Sequence, residues 1–225
     1  MRLVPQSCRT RLQPRDFDFI AKVLTGTRPS QTDAIFELMC DSDSLNSLLD
    51  HKQLWNAILH LKQPVTITPE LYFYVLVRQA LLEAGIDHLE LADYIAATLA
   101  DHATGSSAHT GELSFNDAFY HVDFIEAMHS ASPAEQFYLH VRCGNQFMVL
   151  TGLFPRFLAR REERKGAPGV LYYEGVARDS FRTAGGHPLA NEFALDEVYH
   201  LLAEEFPRTR KVLNRLAQEY LFLGA

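Results

Sequence analysis

Residues 132–154 constrain the fold of this chain most, because they form a capped helical pattern that is apolar on nearly every side. Ser132 suits the N-cap, and Glu135 stands where it completes a capping box. Gly152 and Pro155 indicate the end of the helix. A helix with so little polar surface usually lies inside a helical domain. We therefore predict that this stretch is a buried central helix.

One glycine and several polar side chains interrupt this apolar pattern. Glycine inside a helix costs roughly 1 kcal/mol relative to alanine, so Gly144 indicates close approach by another backbone. Thr151 lies seven residues further on and shares its face, which predicts a shallow groove for a crossing helix. Buried polar groups need partners. We interpret His140, Arg142 and Asn145 either as a structural hydrogen-bond network or as the lining of a ligand pocket.

The rest of the chain repeats helix starts, apolar spacings of three and four residues, and helix stops. This pattern predicts an all-α bundle of about ten helices around the central one. Residues 1–63 are predicted to be an N-terminal helical region, and residues 64–225 the main helical domain. The C-terminal part reads as two helices that meet at a proline, Asp196–Phe206 and Pro207–Leu223.

The bulk composition excludes several classes of protein. The net charge of −7 argues against a general nucleic-acid binder, because affinity for phosphate comes mainly from Lys and Arg. No apolar run approaches the roughly 20 residues that span a bilayer. The three cysteines are widely spaced and include no C-x-x-C pair, which favours reduced thiols in a cytoplasmic protein. The basic residues 1–15 are interpreted as a flexible arm.

Four short segments carry a resemblance to a known group of proteins. They are Gly144-Asn145-Gln146-Phe147, Thr151-Gly152-Leu153-Phe154, Leu171-Tyr172-Tyr173-Glu174 and Ser180-Phe181. Through them, roughly residues 71–225 resemble a group of uncharacterised bacterial all-helical proteins. The resemblance implies a helical fold. Since that group has no assigned activity, it implies no functional residue.

Two Glu-x-x-His pairs raise the hypothesis of a metal site, since such pairs with two further glutamates form the di-iron carboxylate sites of four-helix bundles. The candidate ligands are Glu90, Glu126, His129, Glu174, Glu197 and His200. Glu162 and Glu163 are the alternative source of the two further glutamates. Helical spacing, however, places Glu197 and His200 toward solvent. Chance pairs are also expected among so many Glu and His, so we expect no cofactor.

The segment Arg156–Lys165 is strongly charged and ends at Gly166. A solvated helix surface is the ordinary interpretation of such a segment. The alternative is a site for an anion or for an acidic partner.

These patterns leave three functional hypotheses. The first is a non-enzymatic interaction or regulatory module that self-associates as a homodimer, because no catalytic motif is present. Its interface is predicted on the final helix, at Leu216, Tyr220 and Leu223, or in the groove of Gly144 and Thr151. The second is an enzyme with a carboxylate–histidine metal site. The third is a small-molecule binder that uses the polar residues of the central helix.

Overall fold

The computed structural model of the chain describes residues 4, 7–26, 29–61, 66–104 and 121–221. Within these ranges every regular element is a helix, which confirms the prediction of an all-α fold. The chain divides into two compact units: Gln6–Thr104, and Met1–Pro5 with Gly105–Ala225. The predicted boundary between residues 63 and 64 lies outside the described residues, and the helices that precede and follow it belong to the same unit.

In its described residues, the first unit contains a short 3-10 helix and six α-helices. The 3-10 helix is Arg9–Arg11, and the α-helices are α1 Pro14–Thr25, α2 Pro29–Met39, α3 Ser42–Leu49, α4 Lys52–Leu59, α5 Pro69–Glu83 and α6 Leu89–Ala103. Helices α5 and α6 pack against each other, α1 contacts α2 and α4, and α4 contacts α5. No described helix, in this unit or the other, is long and apolar enough to cross a membrane.

A buried carboxylate joins the start of α1 to the start of α5. Asp16 is fully buried and accepts hydrogen bonds from the backbone N–H of Gln13 at 2.8 Å, the backbone N–H of Thr68 at 2.8 Å and the Thr68 hydroxyl at 2.9 Å. The same hydroxyl accepts the N–H of Leu71 and so caps α5. Three hydrogen bonds to its oxygens compensate the loss of water around this buried carboxyl group.

Residues 7–13, the part of the predicted flexible arm that the structure describes next to α1, are packed against the first unit. Cys8 is fully buried, and the backbone N–H of Arg9 donates to the Asp93 carboxylate at 3.2 Å. The guanidinium of Arg11 pairs with two carboxylates, those of Glu70 and Asp101. The basic residues of this segment therefore anchor it to acids on α5 and α6. These acids lie far away in sequence, which is why the segment read as irregular.

The described part of the second unit, residues 121–221, contains six further helices. They are α7 His121–Ser130, α8 Pro133–Leu153, α9 Pro155–Lys165, α10 Val170–Gly185, α11 Pro188–Glu192 and α12 Asp196–Glu219. Helices α8, α10 and α12 pack against one another, while α7 contacts α8, and α9 contacts α8 and α10. The predicted capping box of α8 is present, since Ser132 and Glu135 exchange backbone–side-chain hydrogen bonds. From Phe137 to Leu153 every side chain is buried or half-buried.

Gly152 does not end α8 as predicted but lies inside its last turn. A Cβ added at Gly152 would lie 2.9 Å from the Cβ of Leu213. The missing side chain therefore allows α12 to approach α8 closely. The helix ends at Leu153 because Pro155, two residues later, begins α9.

The proline in the C-terminal part does not divide it into two helices, so that prediction is wrong: Pro207 lies inside the single helix α12. Proline has no N–H, so the carbonyl of Ala203 loses the donor that a helix normally supplies. The Nε of Arg178, on α10, donates to this carbonyl at 2.9 Å instead. A side chain from a neighbouring helix thus replaces the missing backbone bond.

The end of α8 shows the same compensation. Pro155 cannot donate to the carbonyl of Thr151, and the side-chain amide of Asn214 on α12 donates there at 2.8 Å. Arg210 donates to the Asn214 side-chain oxygen at 3.1 Å and to the Glu174 carboxylate at 2.6 Å. This chain of polar contacts joins α8, α10 and α12.

Candidate functional site

The three polar residues predicted to line a pocket lie on α8 but do not share one face. Arg142 and Asn145 are three residues apart and are neighbours on the helix surface, whereas His140 and Arg142 are two apart and face different sides. Asn145 is buried and Arg142 is half-buried, and both interact with other residues. The structure therefore brings Arg142 and Asn145 together and places His140 elsewhere.

His140 has a different environment, next to α11. Its Nδ1 is buried and makes no hydrogen bond among the described residues. Burial, followed by the effect of nearby His187, lowers the pKa of His140. His187 caps α11 by accepting the N–H of Leu189 at 3.2 Å, and its ring stacks on Phe137 with 5.1 Å between centroids. Burial thus favours the neutral form of the His140 imidazole, one nitrogen of which is buried without a hydrogen bond among the described residues.

The six side chains of the metal hypothesis lie on α6, α7, α10 and α12. Glu90 contacts Arg9 at 3.4 Å, and the Glu174 carboxylate is held by Arg210. The two Glu-x-x-His pairs are exposed, as predicted for the second: Glu126 with His129, and Glu197 with His200. Among the described residues, no three His, Cys, Asp or Glu side chains converge where they could hold a metal ion.

The two buried cysteines lie in environments that suppress thiol reactivity. Burial raises the pKa of the Cys143 thiol to about 11, and burial also raises the pKa of Cys8 well above its ordinary range. Because the thiolate is the nucleophile, both side chains remain protonated and unreactive at neutral pH. They act as small apolar residues of the core.

Both surfaces predicted for a homodimer are used within the chain. A Cβ added at Gly144 would lie 2.8 Å from Cε1 of Phe181, on α10, and Thr151 is fully buried. The final helix buries Leu216 completely and leaves Tyr220 only half-buried, while Leu223 lies outside the described residues. The fold itself therefore covers the groove of Gly144 and Thr151 and the side chain of Leu216. The homodimer stays a prediction, and exposed apolar side chains elsewhere offer it a further surface.

Exposed apolar side chains lie where α7 and α10 begin, and we call them the α7–α10 surface: Val122, Ile125, Leu171 and Tyr172. Their exposed fractions are 53% and 42% on α7, and 75% and 47% on α10. The two first turns are joined by His121, whose Nδ1 lies 2.8 Å from the Tyr172 hydroxyl and whose ring lies 5.8 Å from the Tyr172 ring. The contact of His121 with Tyr172 thus brings together two helix starts that both carry exposed apolar side chains.

The sequence contains a signal for this surface that hydrophobic spacing alone did not reveal. Leu171, Tyr172 and Tyr173 are consecutive in a helix, so their side chains point in three directions and cannot all enter one core. Only Tyr173 is buried, where its ring stacks on Phe147 at 4.8 Å. An apolar triplet at a helix start therefore indicates that some of its apolar side chains stay exposed at the surface.

Comparison of the chain with family models, with curated proteins and with solved structures finds no match. The resemblance to bacterial helical proteins stays a prediction from the sequence. A function is therefore supported only by the surfaces and side chains described above.

Proposed function

We propose that the protein is a non-enzymatic helical interaction or regulatory module, and that it self-associates as a homodimer through the α7–α10 surface. The observation that carries this proposal is the exposure of four apolar side chains on two adjoining helix starts. Contiguous exposed apolar area on a globular protein commonly marks a site of association.

A second copy of the chain is the natural occupant of this surface. In a dimer with twofold symmetry the same patch is used on both copies, so it must be compatible with itself. Aliphatic and aromatic side chains satisfy this condition, because burial of apolar area needs no complementary charge. Val122 and Leu171 are the most exposed members and would gain most from being covered.

The mass of the protein in solution tests the proposal. Sedimentation velocity at tens of micromolar should give a dimer, and the double variant Val122→Asp with Leu171→Asp should give a folded monomer. Both side chains are more than half exposed, so the variant should keep its helical circular dichroism. The matched control is Leu38→Asp, which changes a 45% exposed leucine on α2 and should remain a dimer.

A monomeric wild type would contradict the homodimer itself. A double variant that folds and stays dimeric would show that another surface is used.

A small-molecule binder is the second candidate, and His140 favours it. The buried Nδ1 of His140 makes no hydrogen bond within the described chain. A hydroxyl or an amide of a ligand could supply that hydrogen bond. The neighbouring rings of Phe137 and His187 would offer such a ligand aromatic contacts. A screen of small polar aromatic compounds by thermal shift tests this candidate. The expected stabilisation should disappear in His140→Phe, and a response that persists in this variant would exclude the site.

A further inference from the structure

Helix α9 carries its basic residues in two neighbouring rows. Arg156, Arg160 and Arg164 follow one another at intervals of four residues, and Phe157, Arg161 and Lys165 form the next row. Side chains four residues apart lie above one another on a helix, so the two rows share one side. We call these six residues the α9 basic face.

Five of the six residues of this face are exposed, and Arg161 is half-buried. Leu158 is the one buried residue of α9. The carboxylate of Glu162 lies against Gly169, just before α10, and therefore points away from the two rows. Glu163, the other acid of the helix, lies at the edge of the first row. Five cations are thus concentrated on a helix whose acids lie beside or behind them.

An aromatic ring lies within this basic face. Phe157 is 49% exposed, and the guanidinium carbon of Arg161 lies 5.6 Å from the centre of its ring. This distance is that of a cation–π contact, so a guanidinium packs on the exposed ring. The face therefore offers both positive charge and a local apolar contact. A helix that only faces water has no need of an exposed aromatic ring among its cations.

We propose that the α9 basic face binds an acidic segment of a partner protein, in which Asp and Glu residues flank an apolar side chain. The carboxylates pair with the two rows of cations, since Arg forms bidentate bonds with carboxylate oxygens. The apolar side chain packs on the ring of Phe157. This binding uses α9 alone and does not depend on the homodimer proposed above.

The charge of the whole chain favours a short acidic segment over an extended polyanion. The chain carries −7, so a nucleic-acid duplex or an anionic membrane, which extends beyond α9, would also meet acidic parts of the protein. At physiological salt, charges are screened beyond roughly 8 Å. A short peptide confined to α9 feels mainly its cations.

The test uses the full chain and a fluorescent peptide of Glu and Asp with one central Leu, and measures binding by fluorescence anisotropy. We expect saturable binding that weakens as NaCl is raised. The charge reversal Arg160→Glu with Arg164→Glu should weaken binding at least about tenfold, since each reversal replaces an attraction by a repulsion. Phe157→Ser should weaken binding of this peptide but not of the same peptide with Ser in place of Leu.

The matched control is Arg182→Glu with Arg215→Glu, which changes the net charge equally at two exposed arginines outside α9. This control should bind within about twofold of the wild type, because net charge acts weakly at a distance in salt. Equal weakening by both charge reversals, or no saturable binding, would overturn the proposal. Tighter binding to duplex DNA or to phosphatidylserine vesicles, lost in the α9 variant, would overturn it as well, because the face would then serve a different class of partner.

Discussion

The contact between Gly144 and Phe181 makes a sharp prediction about the packing of α8 on α10. In Gly144→Ala the new Cβ would lie 2.8, 2.9 and 3.0 Å from three atoms of the Phe181 ring. Phe181 is fully buried and stacks on Tyr199, with 6.0 Å between centroids, and its ring centre is 6.3 Å from that of Phe206. The ring is thus held in place and cannot move aside freely.

The expected magnitude is the difference between two effects. Overpacking a well-filled core costs about 1–3 kcal/mol. Alanine in place of glycine inside a helix returns about 1 kcal/mol. Gly144→Ala should therefore lower the free energy of unfolding by about 1 kcal/mol, with an upper limit near 2 kcal/mol.

Gly175 provides the matched control on α10. A Cβ added there meets no atom within 4 Å, so only the gain in helix propensity remains. Gly175→Ala should raise the free energy of unfolding by about 0.5–1 kcal/mol. The same chemical change is thus expected to have opposite signs at the two positions.

Equilibrium unfolding in urea, followed by circular dichroism, measures both changes. In Gly144→Ala with Phe181→Leu, the alanine should no longer be destabilising relative to Phe181→Leu alone, because the smaller side chain leaves room for the methyl group. If Gly144→Ala is as stable as the wild type or more so, the ring does not press on this face.

Two further predictions concern acid and the proline in α12. Burial lowers the pKa of His102 and of His140 below their ordinary value of 6.5, so the unfolded chain binds protons first as the pH falls. As the pH falls below 6.5, the free energy of unfolding should therefore decrease, by up to about 1.4 kcal/mol per pH unit for each group. Urea midpoints between about pH 7 and pH 5.5 should show a shallower decline in His140→Gln, and stability that rises on acidification would contradict this. Arg178→Leu should cost roughly 1.5–3 kcal/mol, because the Ala203 carbonyl loses its donor. In the Pro207→Ala background, Arg178→Leu should lower the free energy of unfolding clearly less, because the N–H of Ala at position 207 replaces the lost donor. Equal losses in the two backgrounds of this double-mutant cycle would show that Arg178 does not compensate for the proline.

The sequence predicted those features of the fold that depend on neighbours in the chain. The capping box of α8 needs only Ser132 and Glu135, three residues apart, and it is present. The end of α9 at Gly166 was likewise predicted, and this glycine adopts the left-handed conformation that terminates helices. Helical spacing also predicted that Glu197 and His200 face solvent. Each of these depends on contacts within one helix or its cap.

The features that sequence reasoning missed depend on contacts between helices. Pro207 breaks an isolated helix, but here Arg178 reaches across from α10 to satisfy the orphaned carbonyl. Gly152 was read as a stop signal because its partner, Leu213, is far away in sequence. Leu216 looked available for a dimer because apolar spacing shows which side of a helix is apolar, and not which surface covers it.

Side-chain assignments in the candidate site also depend on contacts between helices. His140, Arg142 and Asn145 were grouped by their proximity in sequence, although a helix sends positions two residues apart to different sides. Glu174, a candidate metal ligand in the sequence, has Arg210 beside it at 2.6 Å. A polar residue in a helix therefore cannot be assigned to a site until its partner on another helix is known.

The two proposed surfaces differ in chemistry, and salt separates their contributions. The α7–α10 surface is apolar, so association through it should persist or strengthen as salt rises. The α9 basic face relies on charge, so binding of an acidic peptide should weaken over the same range. A dimer that dissociates as salt rises would therefore shift the dimer interface from Val122 and Leu171 to the cations of α9. The acidic segment bound by α9 would then belong to a second copy of the chain.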